Sequence, residues 1–158
     1  MTDVTVIHVG EGKEPYYAAA ESEYIKRLGA YCRYRTVMIK EERIDDEASD
    51  ALIGKALSKE AEAIKRAIPQ GSYIIALCVE GKQLSSQGLS ELIGRVTLSK
   101  PITYIIGSSH GLDGSIKALA DCKLSFSLMT FPHRLMRVIL AEQTYRAFTI
   151  LAGKNYHK

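Results

Sequence analysis

The sequence predicts an α/β fold, a mostly parallel sheet with helices on both faces, and three observations predict it. Residues 73–79 are a continuous apolar run and 102–106 read as a second buried strand, the pattern of strands covered on both sides. β-branched runs alternate with amphipathic stretches of helical length, the order that builds parallel sheets. The chain's 158 residues, 46% hydrophobic and 25% charged, suit one domain over 1–158 with a core of its own.

Taken in order, residues 4–9 and 36–39 read as strands, because Val, Ile and Thr dominate them. Between them an amphipathic helix starts at Pro15, where the first turn tolerates a missing N–H, and ends near Gly29. Residues 41–62 hold eight acids and three bases, first as a polar loop and then as a helix that runs toward Ile68. Pro69-Gln-Gly71 stops that helix. After the strand at 73–79, Ser85-Ser86 opens a helix to about Leu98, and 102–106 is the next strand. A short strand near Leu124 then leads into the last helix, with Pro132 in its first turn.

Charge is uneven along this order. Residues 123–158 carry six Lys or Arg against Glu142 alone, a local charge of +5, and the remainder sums to −2. Such a block suits a local footprint for an anionic partner, or simply a solvated basic surface. Cys32, Cys78 and Cys122 are sparse and form no Cys-x-x-Cys pair, which argues for a reducing compartment and against a disulfide or zinc framework. The four histidines lack metal-ligand spacing, so no metal is expected. Neither a secretory signal nor an apolar run of about 20 residues is present, so the expected location is the cytoplasm, with no membrane partner.

The loop Gly107-Ser-Ser-His-Gly-Leu-Asp-Gly114 follows a buried strand, where open α/β sheets bind ligands. Its glycines let backbone N–H groups approach a ligand closely. The letters Gly107-Ser108-Ser109-His110-Gly111 also fit a hydrolase nucleophile elbow, with Asp113, Asp121, His133 and His157 downstream in the required order. A turn with purely structural glycines is the third reading. No phosphate-binding loop or dinucleotide fingerprint is present.

The last helix is apolar in nearly every direction: Leu135, Met136, Val138, Ile139, Leu140, Ala141, Tyr145, Ala147, Phe148, Ile150 and Leu151 leave little polar side. Packing on a sheet uses one side, so the other calls either for a second copy of the chain in a symmetric dimer or for full burial in the monomer. His133 and Arg137 share a face at i, i+4, and Arg146 is spaced to pair with Glu142.

These motifs together carry a resemblance. Ile105-Ile-Gly-Ser-Ser-His-Gly111, Leu124-Ser-Phe-Ser-Leu-Met-Thr-Phe-Pro-His133, Arg137, Glu142-Gln-Thr-Tyr-Arg-Ala147 and the terminal Tyr156-His157-Lys158 resemble the RlmH family of 23S rRNA pseudouridine N3-methyltransferases, SPOUT class. Val6-Ile-His-Val-Gly10, Tyr24-Ile-Lys-Arg-Leu28 and Leu84-Ser-Ser-Gln-Gly88 extend the likeness over the whole chain.

The resemblance implies a single-domain α/β-knot fold with a trefoil knot within about 73–158, an S-adenosylmethionine site and an obligate homodimer through the C-terminal helix. General packing rules do not foresee the knot. The implied cofactor residues are Leu77, Gly107, Phe126, Ser127, Leu128, Met129, Thr130 and Phe131, and Ser108 stands where the family more often has glycine. The implied reaction is methylation of N3 of pseudouridine 1915 in 23S rRNA of the assembled ribosome. An imide N3 must lose its proton before it attacks, so the residues expected to serve catalysis are His133, Arg137, Arg146, Tyr156 and His157. The proton acceptor stays open between His133 and His157. Tyr156 beside His157 suits stacking on an unpaired base, and Lys154 and Lys158 suit phosphate contact. The competing functions are a serine hydrolase using Ser109 and a non-catalytic RNA-binding dimer.

Overall fold

The computed structural model describes residues 1–157; the side chain of His157 and residue 158 lie outside the described residues. Five strands form one sheet in the order β2-β1-β4-β3-β5, and every pairing is parallel. They are β1 (Thr2–Val9), β2 (Cys32–Ile39), β3 (Tyr73–Gln83), β4 (Ile102–Ile106) and β5 (Cys122–Ser125). The connecting helices are α1 (Pro15–Leu28), α2 (Asp50–Ala67), α3 (Ser86–Val96), α4 (Gly114–Leu119) and α5 (His133–Leu151). A 3₁₀ turn, Asn155–His157, follows α5.

Period-two alternation divides each strand between two cores. Val4 and Val6 join Ile102, Tyr104, Ile75 and Leu124 beneath α1, α3 and α5, whereas Ile7 and Val9 join Ile105 and Ala76 beneath α2 and α4. Helix starts follow local chemistry: the hydroxyls of Ser49 and Ser85 accept the N–H groups of Leu52 and Gly88, and the Asp113 carboxylate accepts that of Ser115.

Three strands are longer than expected, and β1 already begins at Thr2. β2 begins at Cys32 rather than Thr36, because Arg33 and Arg35 are paired across the sheet edge. Arg33 donates to Asp3 at 2.6 and 2.9 Å, and Arg35 donates to the Thr5 hydroxyl at 2.9 Å. β3 continues past Val79 to Gln83 through a register shift in which Leu77 and Lys82 both lie opposite Leu124. A β-carbon on Gly81 would come within 2.7 Å of the Lys123 carbonyl carbon, so the β3 chain crosses directly against β5 there.

Helix α5 lies between α1 and α3, burying Leu140, Ala141, Thr144, Ala147 and Phe148. Leu135, Val138 and Ile139 are only half-buried. Two ion pairs clamp its first turns to α1: Arg134 to Glu14, and Arg137 to Glu21. No helix among the described residues is long and apolar enough to cross a membrane.

His8 points from β1 into this packing, and its Nδ1–H donates to the Gly10 carbonyl at 3.0 Å. Burial first, then the nearby Arg137, pushes its pKa from 6.5 to about 4. The neutral ring is therefore what the fold accommodates. Between pH 6.5 and 4 the unfolded chain binds the proton and the folded chain does not, so stability is lost as pH falls through that window. Urea unfolding should show His8 contributing a loss of about 3 kcal/mol across the window, absent in His8→Gln. Equal pH slopes for the two proteins would remove His8 as the cause.

Candidate active site

The carboxyl ends of β3, β4 and β5 meet at a cavity of about 350 Å³, within the size range of small-molecule sites. Its apolar wall is Leu77, Ile106, Leu124, Phe126, Phe131 and Met136. Hydroxyls of Ser109, Ser127 and Thr130 and the loop backbone supply polar groups.

Local chemistry shapes both loops. After β4, Ser108 and Gly111 form an isolated bridge, and the Gly111 N–H donates to the Ser108 carbonyl at 2.8 Å. Gly111 has φ +84°, a value that favours glycine. A β-carbon on Gly107 would sit 2.5 Å from the Gly111 carbonyl oxygen, so this turn closes only around a glycine. After β5, the Ser125 hydroxyl donates to the Ser127 carbonyl at 2.9 Å and the Ser127 hydroxyl accepts the Met129 N–H at 3.0 Å. These bonds fold residues 126–131 back over the cavity. Gly107→Ala should destabilise the protein by about 1–3 kcal/mol, because the obstruction is backbone that must move. Urea unfolding measures it, and an unchanged midpoint would show that the turn yields without cost.

Leu77, Gly107, Phe126, Ser127, Met129, Thr130 and Phe131, all expected from the sequence, line this one cavity. Leu128 does not; it is 80% exposed, beside Met129 at 73%. Ser108 is buried next to the cavity, and its hydroxyl has no hydrogen-bond partner.

The expected catalytic residues separate into two groups. His133, the first residue of α5, lines the cavity. Burial lowers its pKa, Arg134 and Arg137 act in the same direction, and Glu41 opposes them. The ring is thus neutral at pH 7 and able to accept a proton. Arg137, one turn along, is held by a carboxylate: its guanidinium meets Glu21 in a double contact, 2.7 and 3.2 Å, with both side chains largely buried.

Arg146 and Tyr156 occupy the other end of α5, about 20 Å from His133 at 1.5 Å per residue. Arg146 binds Glu142 at 2.5 and 3.0 Å and lies 4.8 Å over the Tyr156 ring. The Tyr156 hydroxyl donates to Glu142 at 3.2 Å, and its ring meets Tyr145 edge-on at 4.8 Å. Burial, and then Glu142, pushes the Tyr156 pKa up to about 12. The side chain of His157 lies outside the described residues. A single chain therefore does not bring Arg146 and Tyr156 to the cavity.

The hydrolase elbow does not form. The Ser109 hydroxyl has only the adjacent exposed His110 ring, 3.4 Å away. Asp113 caps α4 and Asp121 accepts the Ile74 N–H at 2.8 Å, so neither orients a base. Seven residues separate β4 from α4, too long for the sharp strand-to-helix turn of that motif.

Sequence reasoning missed the groups that border the site from distant segments. Glu80 and Lys117 pair at 2.5 Å on its rim, and His8 and Glu41 lie behind His133. Only His8 carried a signal, a titratable ring inside a β-branched run.

The family model described as a predicted SPOUT methyltransferase matches residues 2–157. A ribosomal RNA large subunit methyltransferase H from Bifidobacterium adolescentis is 48% identical over 157 residues, 98% of this chain and 99% of that protein. Among solved structures, a probable methyltransferase from Bordetella pertussis Tohama I is similar with a TM-score of 0.60 at 15% identity, over 93% of this chain and 96% of that one. A methyltransferase from Legionella pneumophila, solved with the cofactor SAM bound, is similar with a TM-score of 0.50 at 9% identity, over 95% and 66%. These two likenesses concern the fold.

Proposed function

The chain belongs to the SPOUT methyltransferases, among the large-subunit ribosomal RNA methyltransferase H proteins, and from this we propose that it methylates N3 of pseudouridine 1915 in 23S rRNA of the assembled ribosome, using S-adenosylmethionine. The observation that carries the proposal is the convergence of Leu77, Gly107, Phe126, Ser127, Thr130 and Phe131, from three separate segments, on one cavity. The cavity fits the cofactor: apolar walls suit an adenine ring, hydroxyls and loop backbone suit the ribose and methionine ends, and Gly107 keeps the turn free of a side chain.

When bound, S-adenosylmethionine supplies an electrophilic methyl group on a sulfonium. The chain must then present an imide N3 in line with that methyl and take up its proton. His133 is the better placed acceptor, since it lines the cavity and burial keeps it neutral. Arg137, held by Glu21, fixes the first turns of α5 rather than meeting substrate, which leaves Arg146 to stabilise charge on the uracil oxygens. Tyr156 and His157 stack on and enclose the extruded nucleotide.

Because Arg146 and Tyr156 lie far from His133 along α5, these roles require a second copy that brings its own α5 end to the cavity. The half-buried Leu135, Val138 and Ile139 and the exposed Leu128 and Met129 support a homodimer through this region. A trefoil knot within residues 73–158 accords with the crossing at Gly81, where Leu124 faces both Leu77 and Lys82. An enzyme with this substrate works in the cytoplasm as one domain over 1–158.

The test incubates the protein and labelled S-adenosylmethionine with unmodified assembled ribosomes and, separately, with naked 23S rRNA. Nuclease mapping with mass spectrometry then locates the methyl group. Label at N3 of that pseudouridine in ribosomes is expected, and label in neither sample overturns the reading.

A further inference from the structure

Behind His133 the structure holds a carboxylate that the proposed reaction has not yet used. His133 Nε2 and Glu41 Oε2 approach the same point, 3.6 and 3.1 Å from where a Gly10 β-carbon would stand. Gly10 has φ +90° and carries nothing into that space. Glu41 belongs to the loop after β2, the opposite end of the sheet order from the cavity strand β5, and it is exposed to solvent. Among the described residues no direct ion pair joins the two, and the gap across Gly10 suits a bridging water.

The other charges facing His133 are already committed. Arg134 and Arg137, on its own helix, oppose a proton on the ring, and the His8 ring on β1 stays neutral beside it. Glu14 from α1 favours that proton but is bound to Arg134, and Glu21 is bound to Arg137. The first turn of α5 adds its own positive end to this field. Glu41 is the carboxylate left to offset an imidazolium, and it is also the one open to bulk water.

We propose that Glu41 is the positioning residue of His133, and that the two groups, bridged by water across Gly10, carry the imide proton from the cavity to solvent. The inference rests on His133 being the proton acceptor. The N3–H bond breaks as its proton passes to the imidazole, and the N3 electron pair forms the new bond to the methyl carbon. The methyl–sulfur bond breaks with its electrons left on sulfur. The imidazolium then releases its proton to the bridging water, and Glu41 passes it to bulk solvent.

Glu41→Gln removes the carboxylate without disturbing buried packing. Imidazole titration by NMR on the free protein should place the His133 pKa about half a unit below that of the wild type. In single-turnover methylation of ribosomes the acid limb of the rate profile should move down by the same amount, with the plateau about twofold lower. Glu41→Asp should recover part of both effects. An unmoved His133 titration overturns the coupling. A moved titration with an unmoved rate profile overturns the relay by removing His133 as acceptor. No methylation by the wild type itself overturns the functional reading and the relay with it, while the substrate-free titration still reports on the pair.

Discussion

Removal of Tyr156, His157 and Lys158 is expected to abolish methyl transfer while leaving the fold and S-adenosylmethionine affinity nearly unchanged. Chain ends are commonly dispensable, but this one is tied down: Tyr156 donates to Glu142, packs edge-on against Tyr145 and stacks with Arg146. None of these contacts touches the cavity, so cofactor binding has no reason to fall. What disappears is the ring that stacks with the Arg146 guanidinium, and with it the aromatic surface proposed to receive the target base. Methylation of unmodified ribosomes, calorimetry with S-adenosylmethionine and size measurement of the protein in solution would be run together. Turnover that persists would sink the role proposed for the tail. A changed size or lost binding of S-adenosylmethionine would relocate the defect to folding.

Glu21→Ala should destabilise the protein by about 3–5 kcal/mol, a large share of the stability of a chain this size. The carboxylate is 8% exposed and its partner Arg137 16%, so truncation leaves a guanidinium buried without its counterion. Replacing both members, Glu21→Leu with Arg137→Met, should restore most of the loss, because apolar side chains of similar volume need no compensation. Urea unfolding curves decide it: a loss below about 1 kcal/mol in the single variant means that water reaches Arg137 freely.

How much of this was legible in the sequence differs between residues. The strand at 102–106 and the first strand could be read outright, because apolar or β-branched runs leave few other conformations with buried backbone. The start of β2 could not be read. Arg33 and Arg35 give no strand signal of their own until Asp3 and Thr5, thirty residues earlier, are brought alongside by the parallel register. Residues 126–131 stood out through their family motif, but a motif names consecutive residues whereas a folded turn sends some of them outward, as it does Leu128. Arg137 was legible as a charge on the face of His133. That Glu21 neutralises it depends on how α1 packs on α5, and helix spacing alone does not encode that packing. Glu41 gave no signal, since it stood in an acidic run whose solvated members look the same.

The position of β4 bears on how the molecule is made. This strand lies in the middle of the sheet, the common neighbour of β1 and β3, yet it is fourth in the chain. Until residues 102–106 have been synthesised, the β1–β2 pair and β3 have no strand between them, and the two apolar faces cannot be covered as one body. A chain emerging from its amino terminus would hold a half-sheet with open edges until then, a state prone to wrong pairing. Arrival of one five-residue segment joins the halves, and β5 then adds at the far edge, so assembly is late, non-local and slow for a chain of this length.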